Sequence, residues 1–256
     1  MSKLADKLQN LSKSSTAPMG FHAGVSEVRS AAMLLIVGLS GAQVNEARIV
    51  AEVNADAGLI VSEGTSAKAT EQMIQAVGSI PLGLLSRGMS GKQIDDLVSL
   101  GCDFVLFDIK GAAGILCKEG VGKFLMVEPS LDQGLVRAIN SFEVDGVLIS
   151  GGGGSVIAVE HLLVCRRFVE LLDKPVIMTL SSLTTKEELT GLWQAGVDGV
   201  VAPSTQSAEA LVELKRTIGN LPRGARGRRA RPGVVLPHYG GGMVEEEDEE
   251  EEGLRS

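Results

Sequence analysis

The chain has 256 residues, 44% apolar and 22% charged, with mean hydropathy +0.20. This is the composition of a globular chain able to bury roughly 70% of its unfolded surface. The longest apolar run, Ala31–Leu39, falls far short of the about 20 residues of a bilayer-spanning helix, so no membrane association is expected. Of the net charge of −8, residues 1–222 carry −6, from 24 acids and 18 bases, which does not suit a nucleic-acid grip.

In chain order, Met1–Ser15 carries Asp6 among its lysines and lacks an apolar centre, so it reads as no signal peptide. Within it KLADKLQNL sets Leu4, Leu8 and Leu11 on one helical face, as a helix plugging or flanking a barrel floor would. Residues 1–30 are read as this helix and its lead-in, 31–222 as one folded domain, and 223–256 as a disordered charged tail.

Within 31–222 one phrase recurs four times: an aspartate, alternating apolar residues, then small or polar ones. It appears as ADAGLIVSEG, CDFVLFDIKG, VDGVLISGGG and VDGVVAPST, its aspartates (Asp56, Asp103, Asp145, Asp198) spaced by 47, 42 and 53 residues. Between these lie IPLGLLSRG, KFLMVEPS and KPVIMTLSS, and MLLIVGLS opens the series, making eight strands. The gaps after strands one, two, three, six, seven and eight place apolar residues at helical spacing. The helix after strand six is expected to begin near Val156, and Gly78, Gly101, Gly196 and Gly219 to cap helices. The gap after strand four, GAAGILCKEGVG, is short and glycine-rich enough for a helical turn only. Apolar strands alternating with amphipathic helices demand a covered parallel sheet, and eight units fit a closed (β/α)8 TIM barrel of the α/β class better than an open sheet.

Chemistry in such barrels collects at the C-terminal strand ends, whose loops converge. These ends carry Glu63 after strand two, Ser86 and Arg87 after three, Asp108 and Lys110 after four, and Glu128 after five. Ser150 with Gly151, Gly152 and Gly153 follows strand six, Thr179 and Ser181 follow seven, and Ser204 follows eight. Asp108 and Lys110 share a parity, so a regular strand would turn both to one side. A desolvated lysine beside a carboxylate serves as a general acid or base, or as a fixed cation for an anion; a rim salt bridge is the plain alternative. Glu63 and Glu128 are candidates for a second carboxylate, or for neutralising Arg87 and Lys110. No histidine falls at a strand end; His161 lies inside the sixth helix, where a structural role is expected. Neither a metal site nor a Ser-His-Asp triad is therefore expected. Cys102, Cys117 and Cys165 lie far apart, with no metal-ligand spacing and no paired framework, as in a reducing cytoplasm. Glycines after strand six would let backbone N–H groups approach an anion at a helix N-terminus.

Residues 144–205 resemble the last third of the phosphate-binding (β/α)8 barrel superfamily, remotely its nitronate-monooxygenase-like and IMP-dehydrogenase-like members. The pieces that carry this are DGVLISGGGG, PVIMTLSS and AGVDGVVAPS. The resemblance implies a phosphate held by the loops after strands seven and eight, and FMN as one candidate cofactor. Departures from the family pattern are Ser181 and Ser182 where paired glycines would stand, and Ala202–Pro203 ahead of Ser204; proline has no N–H to donate.

The tail joins Arg223, Arg226, Arg228, Arg229 and Arg231 to an unbroken acidic run over 245–252, with VVLPHYGGGM between them. The leading expectation is an enzyme of lyase or isomerase type acting on a small anionic metabolite, phosphorylated or not. Lys110, Asp108, Glu63 and Glu128 would be catalytic, and Arg87, Ser150, Gly151–Gly153, Thr179, Ser181 and Ser204 would bind ligand. The alternatives are an inactive barrel that binds a protein partner through residues 223–256, and an FMN-dependent oxidoreductase, whose solution would be yellow.

Overall fold

A computed structural model describes residues 2–14, 31–41, 43–62, 65–151, 156–182 and 184–222. Glu63, Gly152, Gly153, the lead-in after residue 14 and the tail from 223 lie outside them. Eight parallel strands close into a barrel in chain order: β1 (Leu34–Leu39), β2 (Ala57–Ile60), β3 (Leu82–Leu85), β4 (Phe104–Asp108), β5 (Gly122–Val127), β6 (Gly146–Ile149), β7 (Val176–Thr179) and β8 (Gly199–Pro203). Closure comes from β8 pairing with β1, Leu34 opposite Gly199 and Gly38 opposite Pro203. The chain is a TIM barrel.

Helix α1 (Lys3–Ser14) precedes the barrel, and α2 (Val44–Glu52), α3 (Ala67–Val77) and α4 (Gly91–Ser99) follow the first three strands. After β4 there is only a 3-10 turn, Ala113–Cys117, as the glycine-rich sequence suggests. Then come α5 (Gln133–Ala138), for which the apolar spacing gave no signal, α6 (Val159–Leu171), α7 (Lys186–Ala195) and α8 (Ala208–Gly219). Helix α6 starts at Val159 rather than near Val156, because the N–H of Ala158 already donates to Nδ1 of His161 (2.9 Å) and fixes the first turn there. The structural role expected of His161 is this one. Gly78, Gly101 and Gly196 take positive φ at helix ends, but Gly219 does not: it is the last residue of α8, which Asn220 caps.

Strand alternation divides the apolar residues into two sets. One faces the helices; the other, including Ile36, Leu59, Leu106, Phe124, Leu148 and Val201, fills the barrel and joins Leu4, Leu8 and Leu11 of α1 in one cluster. Helix α1 is thus a plug across the N-terminal mouth, each leucine worth roughly 1.5–3 kcal/mol of burial. Phe104 and Phe124 meet edge to face at 5.4 Å inside the barrel. They fit because glycines stand beside them: a Cβ on Gly83 would lie 2.3 Å from the Phe104 ring, and one on Gly146 2.8 Å from that of Phe124.

The repeated aspartates belong to this floor. Asp56 Oδ2 accepts the N–H of Leu35 (2.8 Å), Asp145 Oδ2 that of Lys123 (2.7 Å), and Asp198 Oδ2 that of Val176 (3.0 Å). In each case the carboxylate ahead of an even-numbered strand binds an N–H at the start of the preceding strand. Asp103 instead takes the N–H groups of Lys3 (2.8 Å) and Leu4 (3.1 Å) and the Ser2 hydroxyl (2.7 Å), holding the N-terminus of the plug. Asp56 also pairs with Lys215 of α8. The repeat is therefore a set of floor clamps, and each Asp-Gly step in VDGVLI and VDGVV supplies one clamp and one gap in the interior.

Candidate functional site at the C-terminal rim

Sequence spacing sets the geometry of the rim. Arg87, Asp108, Glu128, Ser150 and Thr179 each stand two residues beyond an interior residue: Leu85, Leu106, Met126, Leu148 and Ile177. The alternation that fills the barrel thus delivers them to its upper opening. A cavity of about 590 Å³ lies there, over β3 to β6, lined by Arg87, Asp108, Lys110, Glu128 and Ser150 together with Met126, Ser130, Leu131 and Asp132. Five of the sequence candidates are brought together in it. Thr179 bridges β6 and β7, its Oγ1 accepting from Gly151 N–H and reaching the Ile149 carbonyl at 3.4 Å. Ser181 and Ser204 end β7 and β8, outside the lining of this cavity.

Asp108 closes β4 and the chain turns at once. Its Oδ1 accepts the N–H of Lys110 (2.9 Å), and its carbonyl accepts that of Gly111 (2.9 Å). The regular strand on which their shared parity depends thus ends at Asp108, and a carboxylate-capped turn leads to Lys110, yet both residues line the cavity. The ion-pair partner of Asp108 is instead Arg87, Nε to Oδ2 at 3.8 Å, with side chains 51% and 30% exposed. Lys110 is exposed and makes no ion pair among the described residues. The cavity thus has two cations and three carboxylates around an apolar base, open to solvent.

The rim hydroxyls mostly complete the sheet. Ser86 donates to the Leu106 carbonyl (3.2 Å), Ser150 to that of Val127 (3.2 Å), and Ser204 accepts the N–H of Ser40 (3.4 Å). Ser204 is buried, and its own N–H donates to Gly38. Pro203 beside it has no N–H, so neither residue offers a phosphate a backbone donor, and the two do not fit the phosphate of FMN. The glycine run is also parted from α6 by Val156–Ala158.

Apolar-pattern reasoning missed the loop after β5. Asp132 caps α5, its Oδ1 accepting from Gly134 (2.7 Å) and Leu135 (3.4 Å), and with Ser130 and Leu131 it forms one wall of the cavity. The signal was an aspartate two residues before a glycine, just after Pro129. Arg167 of α6 braces this loop through the Pro129 carbonyl. Glu188 was missed too, although Thr185 and Glu188 spell a capping box. Its carboxylate accepts from the N–H of Thr185 (2.7 Å) and of Ile157 (2.8 Å), tying α7 to the segment ahead of α6. Those bonds, Thr185 first, hold it below the ordinary carboxylate value. Burial pushes the Cys102 and Cys165 thiols up to about 12, so neither is a nucleophile near neutral pH.

No protein-family model matches the chain, and no curated protein sequence matches it. Solved structures do. A tryptophan synthase α-subunit of the hyperthermophile Pyrococcus furiosus is 15% identical, with TM-score 0.59 over 73% of this chain and 96% of that one. A tryptophan synthase from M. tuberculosis, in an open form, is 14% identical, with TM-score 0.61 over 87% of this chain and 100% of that one. At such identities the likeness is one of fold. It supports the (β/α)8 barrel and lends nothing to the finer resemblance to nitronate monooxygenase or IMP dehydrogenase. Among the described residues no helix is long and apolar enough to cross a membrane.

Proposed function

We propose that the chain is an enzyme acting on a small anionic, phosphorylated metabolite by proton transfer, of lyase or isomerase type, at the rim over β3 to β6. The observation that carries this is the gathering of Arg87, Asp108, Lys110, Glu128 and Ser150 around one cavity of about 590 Å³. Lys110 and Arg87 hold the anion; Glu128, exposed just beyond β5 beside the Arg87–Asp108 pair, moves the proton, with Asp108 as its counterpart. Glu63 belongs to the same rim by sequence position. Gly151, Thr179, Ser181 and Ser204 form its flank, and Gly152 and Gly153 belong to it by sequence position only. That the solved neighbours are subunits of an enzyme, tryptophan synthase, supports an enzymatic use of this fold.

Native mass spectrometry of the purified chain tests the reading. A small anionic molecule should co-purify and be lost from Lys110→Ala and Arg87→Ala, whereas retention by both variants would remove these residues from the site. That the Pyrococcus furiosus neighbour is a subunit also supports a protein partner, for which residues 223–256 are the proposed contact. Deleting them should abolish a co-purifying protein and leave the small molecule bound.

A further inference from the structure

The fourth position of the helical ring is bare. Where its neighbours have helices, only the 3-10 turn Ala113–Cys117 separates β4 from β5. The outer faces of these strands, Phe107 and Leu125, therefore floor a groove of about 390 Å³ running between the turn and α5. Its lips carry three large apolar side chains held in water: Ile109, Leu135 and Phe142, 56%, 57% and 52% exposed. Such a concentration on one face is a mark of binding rather than of folding.

What this groove receives is indicated by where it leads. It shares Asp108, Ile109 and Leu131 with the rim cavity, so the two adjoin: a polar opening bearing Arg87 and Lys110 stands directly beside an apolar groove on the barrel wall. From Asp108 at the rim it descends to Val144 ahead of β6, a span close to the length of six-residue β5, about 20 Å. A purely polar metabolite would leave this length unused, and a purely apolar one would leave Lys110 unmatched. We infer that the ligand is a single-chain anionic amphiphile, its charged head between Arg87 and Lys110 and its hydrocarbon chain in the groove left by the missing helix. This rests on the rim reading proposed above and adds the chemical class of its ligand. The net acidic body, −6 over residues 1–222, disfavours an anionic bilayer surface and favours the dispersed molecule.

Calorimetric titration of the full-length chain with inorganic phosphate, butyl phosphate and octyl phosphate, below micellar concentrations, tests this. Affinity should rise on the order of a hundredfold from butyl to octyl, following about 0.8 kcal/mol per buried methylene. Leu135→Asp and Phe142→Asp, at exposed positions outside the rim cavity, should reduce that gain to about threefold while leaving inorganic phosphate binding unchanged. Lys110→Ala should weaken both alkyl phosphates by the same factor. Octyl phosphate no tighter than inorganic phosphate would overturn the amphiphile and spare the rim reading; failure of every phosphate would remove both. Octanol as tight as octyl phosphate, pelleting with phosphatidic acid vesicles, or a dimer dispersed by Leu135→Asp would each overturn it, in favour of an apolar pocket, a membrane surface or a second copy.

Discussion

The two ends of the barrel are built from the same residue types and use them oppositely. At the floor, Asp56, Asp103, Asp145 and Asp198 spend their carboxylates on backbone N–H groups, while α1 seals the mouth with leucines. At the rim, Asp108 meets one N–H and a loosely held Arg87, and Glu128 and Lys110 face solvent over an open cavity. The difference separates carboxylates that hold the fold from those left over for a ligand.

Substitutions at the two ends sharpen that contrast. The largest effect belongs to Gly83→Val: its Cβ would stand 2.3 Å from the Phe104 ring with no room to yield, and urea unfolding should show a loss of about 3 kcal/mol or more. Asp198→Ala leaves the Val176 N–H buried without that acceptor, for about 2 kcal/mol. Ser90→Ala, removing the capping box of α4, should lose about 1 kcal/mol by the same measurement. Asp108→Ala, whose ion pair is long and half exposed, should shift stability by only ~0.5 kcal/mol while abolishing turnover at the proposed site. A loss at Asp108 as large as that at Asp198 would erase the contrast between floor and rim.

Thiol chemistry gives a further comparison, of core against surface. Cys102 and Cys165 are buried and Cys117 is exposed, so a thiol reagent at pH 8 should modify one cysteine in the native chain and three after unfolding. Burial raises the two core thiols in the folded state from an ordinary 9.0 to about 12. Their contribution to stability is therefore complete below about pH 9 and lost as pH climbs toward 12. A stability curve flat across that window would contradict the burial assigned to them.

Most of the architecture was legible because it is periodic: the aspartate phrase recurs four times, the apolar strands eight and the helical spacing six. The rim residues were legible because strand alternation carries side chains to a known end. What escaped depends on local geometry that pattern does not encode. Asp108 closed a turn onto the N–H of Lys110, His161 fixed the start of α6 at Val159, and the short helix α5 had too few apolar residues to announce itself. The groove was invisible for another reason. A glycine-rich GAAGILCKEGVG showed that a helix was weak there, but not that Leu135 and Phe142, far along the chain, would line the space it vacated.

In the proposed function an anion sits at the rim over β3 to β6, between Arg87 and Lys110. An amide-resolved NMR titration of the full-length chain with inorganic phosphate tests this. Shifts should concentrate at Arg87, Lys110, Glu128 and Ser150 and vanish in Lys110→Ala. Shifts confined to the ends of β7 and β8 around Ser181 and Ser204, or no shifts at all, would contradict it.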